Sequence, residues 1–518
     1  MKNDRTLPRS PCSLQKIYLI FLVFTFISHV ILSYQYFGKS DFQGDQIDQL
    51  VRFTTLIKIP LMKAFYGPYM SETNPVVYNF GPAFSALLGL LTKVGLNPDE
   101  IHILCNIFNH ALSSVLFFLI FKFFNRKGYG LIVFIWSAIL FSSDLYLQQV
   151  RQLWVNNFIT LSSLLTFYFY LRAERRPDLN NVIVLVAFFF LGLHFHSTAI
   201  VGFTLVAFVI FRKFTQLKKN PKKLNPVTWF FLIAAIGPYL VAEWATDFGN
   251  SKAILANIFH NQLQIQNHFQ GFRSAKKSLY QFVEVVGLFG GENSFKVFRQ
   301  VTALIFLTMF ILLIRKKIRK IALTLAEEFL FLSFTAVFAM TVFFLCLNHR
   351  IGGPHYFYYG LIFLTFPWAF LICFVLENLF NQKDHSARKL ITILVCCSLI
   401  VLFGQFKTAN MRNKMSYSYR DILETLTEIC HIEKRFSIAD QAPEFETFPD
   451  PDYKTTSLKY IMEGHKTGCL YDRNSESLLT LAMVEGNISN TIQNNGKAYV
   501  LKSKFEHGLS LYQSVHIP

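Results

Sequence analysis

The 518-residue chain is 52% hydrophobic and contains 58 Phe, whereas only 16% of its residues are charged. This composition excludes an ordinary soluble protein of this size and predicts one that lies in a lipid bilayer. The net charge of +18 does not indicate nucleic-acid binding, because the excess of Lys and Arg lies in short segments between apolar runs.

Ten apolar runs predict the membrane helices. The first is too long for the apolar core of a signal peptide, and no small-x-small cleavage site follows it before Gln35, so we expect it to remain as an anchor. The ten runs are Ile17–Tyr34, Ile103–Phe124, Leu131–Ser143, Phe158–Leu171, Val182–Phe211, Val227–Trp244, Val297–Ile314, Phe329–Leu347, Tyr356–Leu376 and Leu390–Phe406.

The run Val182–Phe211 fits either one overlong helix or two short ones, at about 1.5 Å per residue. Arg172 precedes it and Arg212 follows it, each within a basic segment. Because basic segments favour the cytoplasmic side, both ends are expected there, and the run must turn back near Gly192–Ser197. The chain then crosses the membrane about eleven times.

The distribution of charge predicts the topology. The segments 1–16, 122–130, 172–181, 212–226, 315–328 and 377–389 hold 24 Lys and Arg against 7 Asp and Glu. This bias places them in the cytoplasm. We therefore expect an all-α polytopic protein of the cell (inner or plasma) membrane, with a cytoplasmic N-terminus and an extracytoplasmic C-terminus.

The chain divides into a transmembrane domain, residues 1–407, and a tail, residues 408–518, of ordinary soluble composition. Helical periodicity at 422–430 and strand patterns at Phe436–Ala439, Tyr499–Leu501 and Leu509–Tyr512 predict a small extracytoplasmic α/β domain. In this compartment Cys430 and Cys469 can form a disulfide; alternatively, Cys430 is the buried end of a helical face.

The first extracytoplasmic loop, residues 35–100, carries most of the information about function. Asp41, Asp45 and Asp48 follow the first anchor directly, and Glu72 and Tyr78 lie further along the loop. Three carboxylates within eight residues form either a solvated, helix-capping turn or a catalytic group at the membrane surface.

Several motifs in order along residues 17–377 resemble those of membrane glycosyltransferases of the GT-C fold. The resemblance is to bacterial members of the dolichyl-phosphate-mannose–protein mannosyltransferase superfamily, which includes the aminoarabinose transferases. In Arg151-Gln-Leu-Trp-Val-Asn-Asn the family pattern is interrupted by Val155, and its Pro is absent. The motifs are Gly44-Asp45-Gln46 with Asp48, Gly67-Pro68-Tyr69-Met70-Ser71, Gly81-Pro82, Asn97-Pro98, Arg151–Asn157, Gly192-Leu-His194-Phe-His196 and Tyr356-Phe-Tyr358-Tyr359.

The resemblance implies an inverting enzyme that moves a sugar from a polyprenyl-phosphate carrier to a hydroxyl of a lipid, glycan or protein acceptor. It carries the essential carboxylate over to Asp45, with Asp41 and Asp48 as the other candidates. Some members use a divalent cation such as Mg²⁺ or Mn²⁺, for which Glu72 is a candidate second ligand. No cofactor is certain.

Cationic side chains must stabilise the leaving phosphate. Arg151, which matches a family position, is the first candidate, although an interfacial Arg that reaches the membrane surface would look the same. Arg350 and Arg273 are further candidates. His196 and Tyr78 are candidates for contact with the acceptor or the carrier, but His196 can equally bridge two helices.

Three other functions remain open. A transporter or a lipid or glycan flippase would place ionisable residues in mid-membrane. A polysaccharide polymerase or ligase without the GT-C fold would concentrate its chemistry in a late loop, and a sugar-binding sensor would have no catalysis. For each of these functions we expect membrane lipid as a partner, and for none of them nucleic acid.

Overall fold

A computed structural model describes the helical part of the chain and the strands of the tail. The described residues are 12–36, 87, 90–91, 94–96, 98–151, 158–195, 197–219, 225–245, 248, 251–252, 296–346, 359–379, 387–410, 435–438, 470–471, 479–483, 491–494, 497–504 and 509–514.

Twelve α-helices and one 3-10 helix lie within the described residues, and each of the ten apolar runs overlaps at least one of them. They are α1 Cys12–Gln35, α2 Pro98–Asn125, α3 Gly130–Ser142, α4 Asp144–Arg151, α5 Ile159–Arg175, α6 Leu179–Phe195, the 3-10 helix Ser197–Gly202, α7 Phe203–Lys219, α8 Pro226–Ala245, α9 Lys296–Ile318, α10 Leu325–Cys346, α11 Leu361–Leu379 and α12 Ala387–Asn410.

The predicted break in the run Val182–Phe211 is confirmed. Helix α6 ends at Phe195, and the 3-10 helix leads into α7. Arg212 of α7 lies 3.7 Å from Glu174 near the end of α5, so the chain has returned to the end of the bundle from which α6 started. Helix α4 was not predicted, because its eight residues are polar on one side and too few for an apolar run.

Side-chain contacts fix the directions of the helices. Tyr18 stacks on Phe121 at 4.3 Å and His29 on His110 at 4.1 Å, so α1 and α2 are antiparallel. Tyr36 bonds to Thr408, which brings together the last residues of α1 and α12. We call this end, where α2 and α4 also begin, the loop end.

The opposite end of the bundle, where α2, α5, α7 and α9 finish, is called the basic end. It carries Arg126, Arg175, Arg212 and Lys317, and Glu328 at the start of α10 borders both clefts between these side chains.

The centre of the bundle is aromatic. Trp136 of α3 is fully buried, with Phe117, Phe167 and Phe366 at centroid distances of 5.1 to 5.6 Å in edge-to-face geometry. Its indole N–H donates to Thr365 Oγ1 at 3.0 Å, which satisfies the only polar atom of the side chain. Helix α3 is therefore shielded by its neighbours over almost its whole surface.

Three described helices are long and apolar enough to cross a membrane, and the exposed surface fits that environment. They are Leu14–Gln35, Asp99–Asn125 and Leu390–Asn410, accompanied by four shorter apolar helices. Large apolar side chains such as Phe211 and Trp244 are more than four-fifths exposed on the helix surfaces. These are features of a polytopic membrane protein, since such surfaces are stable against lipid.

The described residues of the tail form a six-stranded mixed sheet. The strands β1 Arg435–Ile438, β2 Leu470–Tyr471, β3 Leu479–Met483, β4 Thr491–Asn494, β5 Lys497–Lys504 and β6 Leu509–Ser514 lie in the order β2-β1-β3-β6-β5-β4. Strand β1 is parallel to both neighbours, and the other pairs are antiparallel. The three predicted strands coincide with β1, β5 and β6, whereas the predicted helical face at 422–430 lies outside the described residues.

Candidate functional site

Most side chains predicted to form the site lie outside the described residues. This applies to the carboxylates, to the substrate-binding candidates other than Arg151, and to the two tail cysteines. Arg151 is described only as the last residue of α4. The residues outside are Asp41, Asp45, Asp48, Glu72, Tyr78, His196, Arg273, Arg350, Cys430 and Cys469.

The described residues reveal a second feature, a line of buried polar side chains between α1 and α2. His29 and Ser33 are one turn apart on α1, and Asn106 and His110 are one turn apart on α2. Because residues four apart lie on one face of a helix, each pair faces the partner helix. All four are at most 1% exposed. We call these four residues, together with Tyr146 of α4, the polar cluster.

Two histidine rings form the centre of the polar cluster. His29 and His110 stack with 4.1 Å between centroids and 9° between planes. Nδ1 of His110 and the phenol oxygen of Tyr146 are 2.9 Å apart; either the phenol donates to Nδ1 or Nδ1–H donates to the phenol oxygen. The ring of Phe141 closes the other side of His110 at 4.5 Å. Four helices therefore meet at His110.

Several polar atoms of the cluster are buried without a hydrogen-bond partner among the described residues. They are both ring nitrogens of His29, the hydroxyl of Ser33, both amide atoms of Asn106 and Nε2 of His110. Each such atom costs about 1–3 kcal/mol if it stays unsatisfied. Buried polar groups in native proteins are normally bonded, and ordered water or the hydroxyl groups of a bound molecule would satisfy these atoms.

Contacts at the loop end hold α12 against the helices that carry the polar cluster. The phenol of Tyr36 donates to the carbonyl of Thr408 at 2.7 Å, and the ammonium of Lys407 donates to Asp144 at 2.7 Å. Gly404 allows the close approach of these helices, since a Cβ there would overlap the backbone of Ser142. The end of α12 is thereby held against α1, α3 and α4.

The chemistry available in the polar cluster includes hydrogen bonding and proton transfer. Imidazole, amide and hydroxyl groups can bind a hydroxyl-rich molecule or relay a proton. Within the ranges that the structure describes, no group of three His, Cys, Asp or Glu side chains is arranged to hold a metal ion. The divalent cation expected near Asp45 and Glu72 stays a prediction, because those residues lie outside these ranges.

His194, in the motif at the end of α6, bridges two helices. Its Nε2–H donates to the carbonyl of Ala235 in α8 at 2.7 Å, and its ring packs against Tyr239 at 4.3 Å. These contacts give His194 a structural role between α6 and α8.

Tyr359, the last residue of the Tyr356–Tyr359 motif, is also structural. Its phenol donates to Thr166 at 3.2 Å, and its carbonyl accepts from Ser163 at 2.8 Å. Gly192 and Gly202 leave room for its ring, so it joins α5, α6 and the 3-10 helix.

The polar cluster was not predicted from the sequence. The spacing of His102, Asn106 and His110 on α2 is a legible signal, since polar groups on one face of a membrane helix mark a protein-facing side. The partner face on α1 carries only His29 and Ser33, which are inconspicuous within an apolar run.

No protein-family model matches the chain, and no curated protein matches it either.

Proposed function

We propose that this protein is an integral membrane glycosyltransferase of the GT-C type, which moves a sugar from a polyprenyl-phosphate carrier to an acceptor hydroxyl outside the cytoplasm. The observation that supports the proposal is the polar cluster, because it lies between α1 and α2, the two helices that the loop with Asp41, Asp45 and Asp48 connects. A hydroxyl-binding site and a group of carboxylates are thus tethered to the same end of the bundle.

The length of the chain limits how far the carboxylates lie from the bundle. An extended chain spans at most about 3.6 Å per residue, so Asp41 lies within roughly 18 Å of Tyr36 and Asp45 within roughly 32 Å. His29 lies seven residues before Tyr36, or about 10 Å along the helix axis. A substrate of a few sugar units, or the head of a lipid carrier, can span such a distance.

The proposed reaction assigns one step to each group. Asp45 accepts the proton of the acceptor hydroxyl. At the same time, the oxygen of that hydroxyl forms a bond to the anomeric carbon of the donor. The bond from that carbon to the phosphate oxygen breaks, and the phosphate leaves with the electron pair. Arg151 and Arg350 stabilise the negative charge on this phosphate. The polar cluster holds acceptor or sugar hydroxyls during the transfer.

The same proposal covers the finer architecture. The chain crosses the membrane eleven times, the basic end faces the cytoplasm, and the loop end faces outwards. The tail is a small α/β domain on the outer side. The support is the positive-inside charge pattern together with the positions of the basic residues at one end of the bundle.

Replacement of Asp45 by Asn tests the proposal, because it keeps size and hydrogen bonding but removes the base. The purified variant is incubated with labelled polyprenyl-phosphate sugars and envelope lipid acceptors. Its rate of sugar transfer should be about 10²- to 10⁴-fold below that of the wild type. Asp41→Asn and Asp48→Asn are the matched controls. If one of these loses transfer and Asp45→Asn does not, the base is that neighbour. If all three retain activity, the proposal is wrong.

One observation favours a transporter or flippase as the second candidate. His29 and His110 are ionisable residues buried within membrane helices, as transport pathways require. The two functions separate in liposomes: a transporter moves labelled substrate across the membrane without chemical change, whereas a transferase forms a new glycosidic product on one side.

A further inference from the structure

A small cleft at the basic end lies where α7 meets the turn between α9 and α10. Its volume is about 240 Å³. Cationic side chains and apolar groups line it together, and Glu328 is the carboxylate among its lining residues. The residues that matter for the argument are Phe208, Arg212, Lys317, Lys320, Leu323 and Glu328.

The turn between α9 and α10 gives this cleft a fixed wall. Thr324 and Glu327 form a capping box, in which the backbone N–H of Thr324 donates to Glu327 at 3.0 Å and the N–H of Glu327 donates to Thr324 at 3.2 Å. Lys316 donates a further hydrogen bond to Glu327. Although partial burial opposes it, these bonds lower the pKa of Glu327. Lys320 adopts a left-handed backbone conformation, with φ of 56°, and closes the turn.

The charges around the cleft are unequal. Arg212 donates to Glu328 at 3.0 Å and lies 3.7 Å from Glu174, so its charge is balanced. Lys317 makes no ion pair with any described residue; its ammonium lies over the ring of Phe331 at 3.7 Å and that of Phe208 at 5.1 Å. Burial, and then the charge of Arg212, lower the pKa of Lys317, and the nearby carboxylate of Glu328 opposes this shift only in part. An anion in the cleft would compensate this charge.

The surroundings of the cleft suit a lipid rather than a free anion. Phe211 is 84% exposed, Ile318 75% and Ile321 49%, and they neighbour Arg212, Lys317 and Lys320 in the chain. Apolar side chains that are exposed beside cationic ones match a molecule with acyl chains and an anionic headgroup. Basic pockets between membrane helices are a recurrent means of binding such headgroups.

We propose that this cleft binds the phosphate of an anionic phospholipid, held by Lys317 and Lys320 with Arg212 as a third donor, while the acyl chains lie along Phe211, Ile318 and Ile321. The site lies at the opposite end of the bundle from the proposed transfer reaction and does not depend on it. Bound lipid would link α7 to α9 at the membrane surface.

The test is titration of the purified full-length protein in detergent with short-chain phosphatidylglycerol, phosphatidylcholine and inorganic phosphate, with bound molecules counted by native mass spectrometry. We expect phosphatidylglycerol to bind in preference to the other two. A basic residue near a headgroup contributes about a fivefold change in affinity. Lys317→Gln and Lys320→Gln should each weaken binding by about that factor, and the double variant by about 25-fold, the product of the two.

Arg319→Gln is the matched control, since Arg319 is an exposed cation of the same turn that does not line the cleft. Its affinity should stay within about twofold of the wild-type value. Unchanged affinity in the double variant, or equal binding of phosphatidylcholine, would overturn the proposal. Displacement of the lipid by an equimolar amount of phosphate would show a site for a free anion instead. Should the double variant not fold, the single Lys320→Gln variant decides, because this side chain is exposed.

Discussion

At the scale of single residues, the polar cluster carries the functional argument. His29 and Asn106 are buried in membrane helices and have polar atoms without hydrogen-bond partners in the described part of the chain. An apolar side chain at either position would pack without leaving such an atom. Polar groups of this kind within membrane helices are rare and usually mark substrate or proton pathways. A packing role and a substrate-binding role of the stacked pair of His29 and His110 therefore predict different effects of a substitution.

Replacement of His110 by Phe separates these two roles. Phe keeps a ring between His29 and Phe141 but loses the hydrogen bond to Tyr146, which contributes about 0.5–1.5 kcal/mol. If the cluster positions a substrate, transfer should fall about tenfold to a hundredfold. The transfer assay and thermal unfolding in detergent measure the two effects.

Tyr18→Phe is the control for this variant. It removes a buried hydrogen bond of similar kind, from Tyr18 to Ser137 at 3.2 Å, at the other end of α1. We expect a comparable loss of stability with transfer unchanged. Equal transfer in both variants would assign the cluster to packing alone.

At the scale of helices, the close crossing of α3 and α12 depends on one glycine. Gly404 faces the backbone of Ser142, so a side chain at this position can be accommodated only if the helices move apart. The same helix carries Lys407 and Thr408, which hold α12 to α4 and α1. A shift of α12 would therefore disturb the loop end as a whole.

Gly404→Ala should destabilise the protein by about 1–3 kcal/mol, as is typical of overpacking. Gly237→Ala is the matched control, because there the nearest atom to a new Cβ is Ile233 Cγ2 at 3.7 Å, an ordinary contact. This change in the interior of α8 should be neutral or stabilising by up to about 1 kcal/mol. Thermal unfolding of both variants in detergent checks the difference; equal midpoints would contradict the crossing described here.

Much of the helical fold could be predicted from the sequence, because a bilayer demands long apolar runs and the charges flanking Val182–Phe211 revealed its turn. Contacts that depend on two distant segments could not. Nothing in the sequence pairs His29 with His110, or Gly404 with Ser142, since each residue is ordinary within its own helix. Helix α4 was not predicted, because its polar side chains interrupt any apolar run.

At the scale of the whole molecule, the separation of charge supports a single orientation in the membrane. Basic residues from α2, α5, α7 and α9 gather at one end, around the two clefts that Glu328 borders. We propose that this end faces the cytoplasm, as the positive-inside bias predicts.

Reporter fusions test this orientation. A reporter fused after Lys219 or Lys320 should give a cytoplasmic signal, and one fused after Asn267 or at Pro518 an extracytoplasmic signal. The eleven crossings that we propose are an odd number, which would put the two ends of the chain on opposite sides of the membrane. A cytoplasmic signal at Pro518 would contradict eleven crossings and require one helix more or one fewer.

Helices α1 and α2 each have an apolar face and a polar face, which affects how they associate in the membrane during biogenesis. Ile20, Ile27 and Ile31 of α1 and Leu104, Phe108 and Val115 of α2 are exposed, whereas His29, Ser33, Asn106 and His110 are buried between the helices. Both helices are apolar enough to enter the bilayer separately. Once there, the hidden polar faces favour association, because lipid offers them no hydrogen bonds. The groups that we assign to substrate binding would thus also select the partner helix during biogenesis.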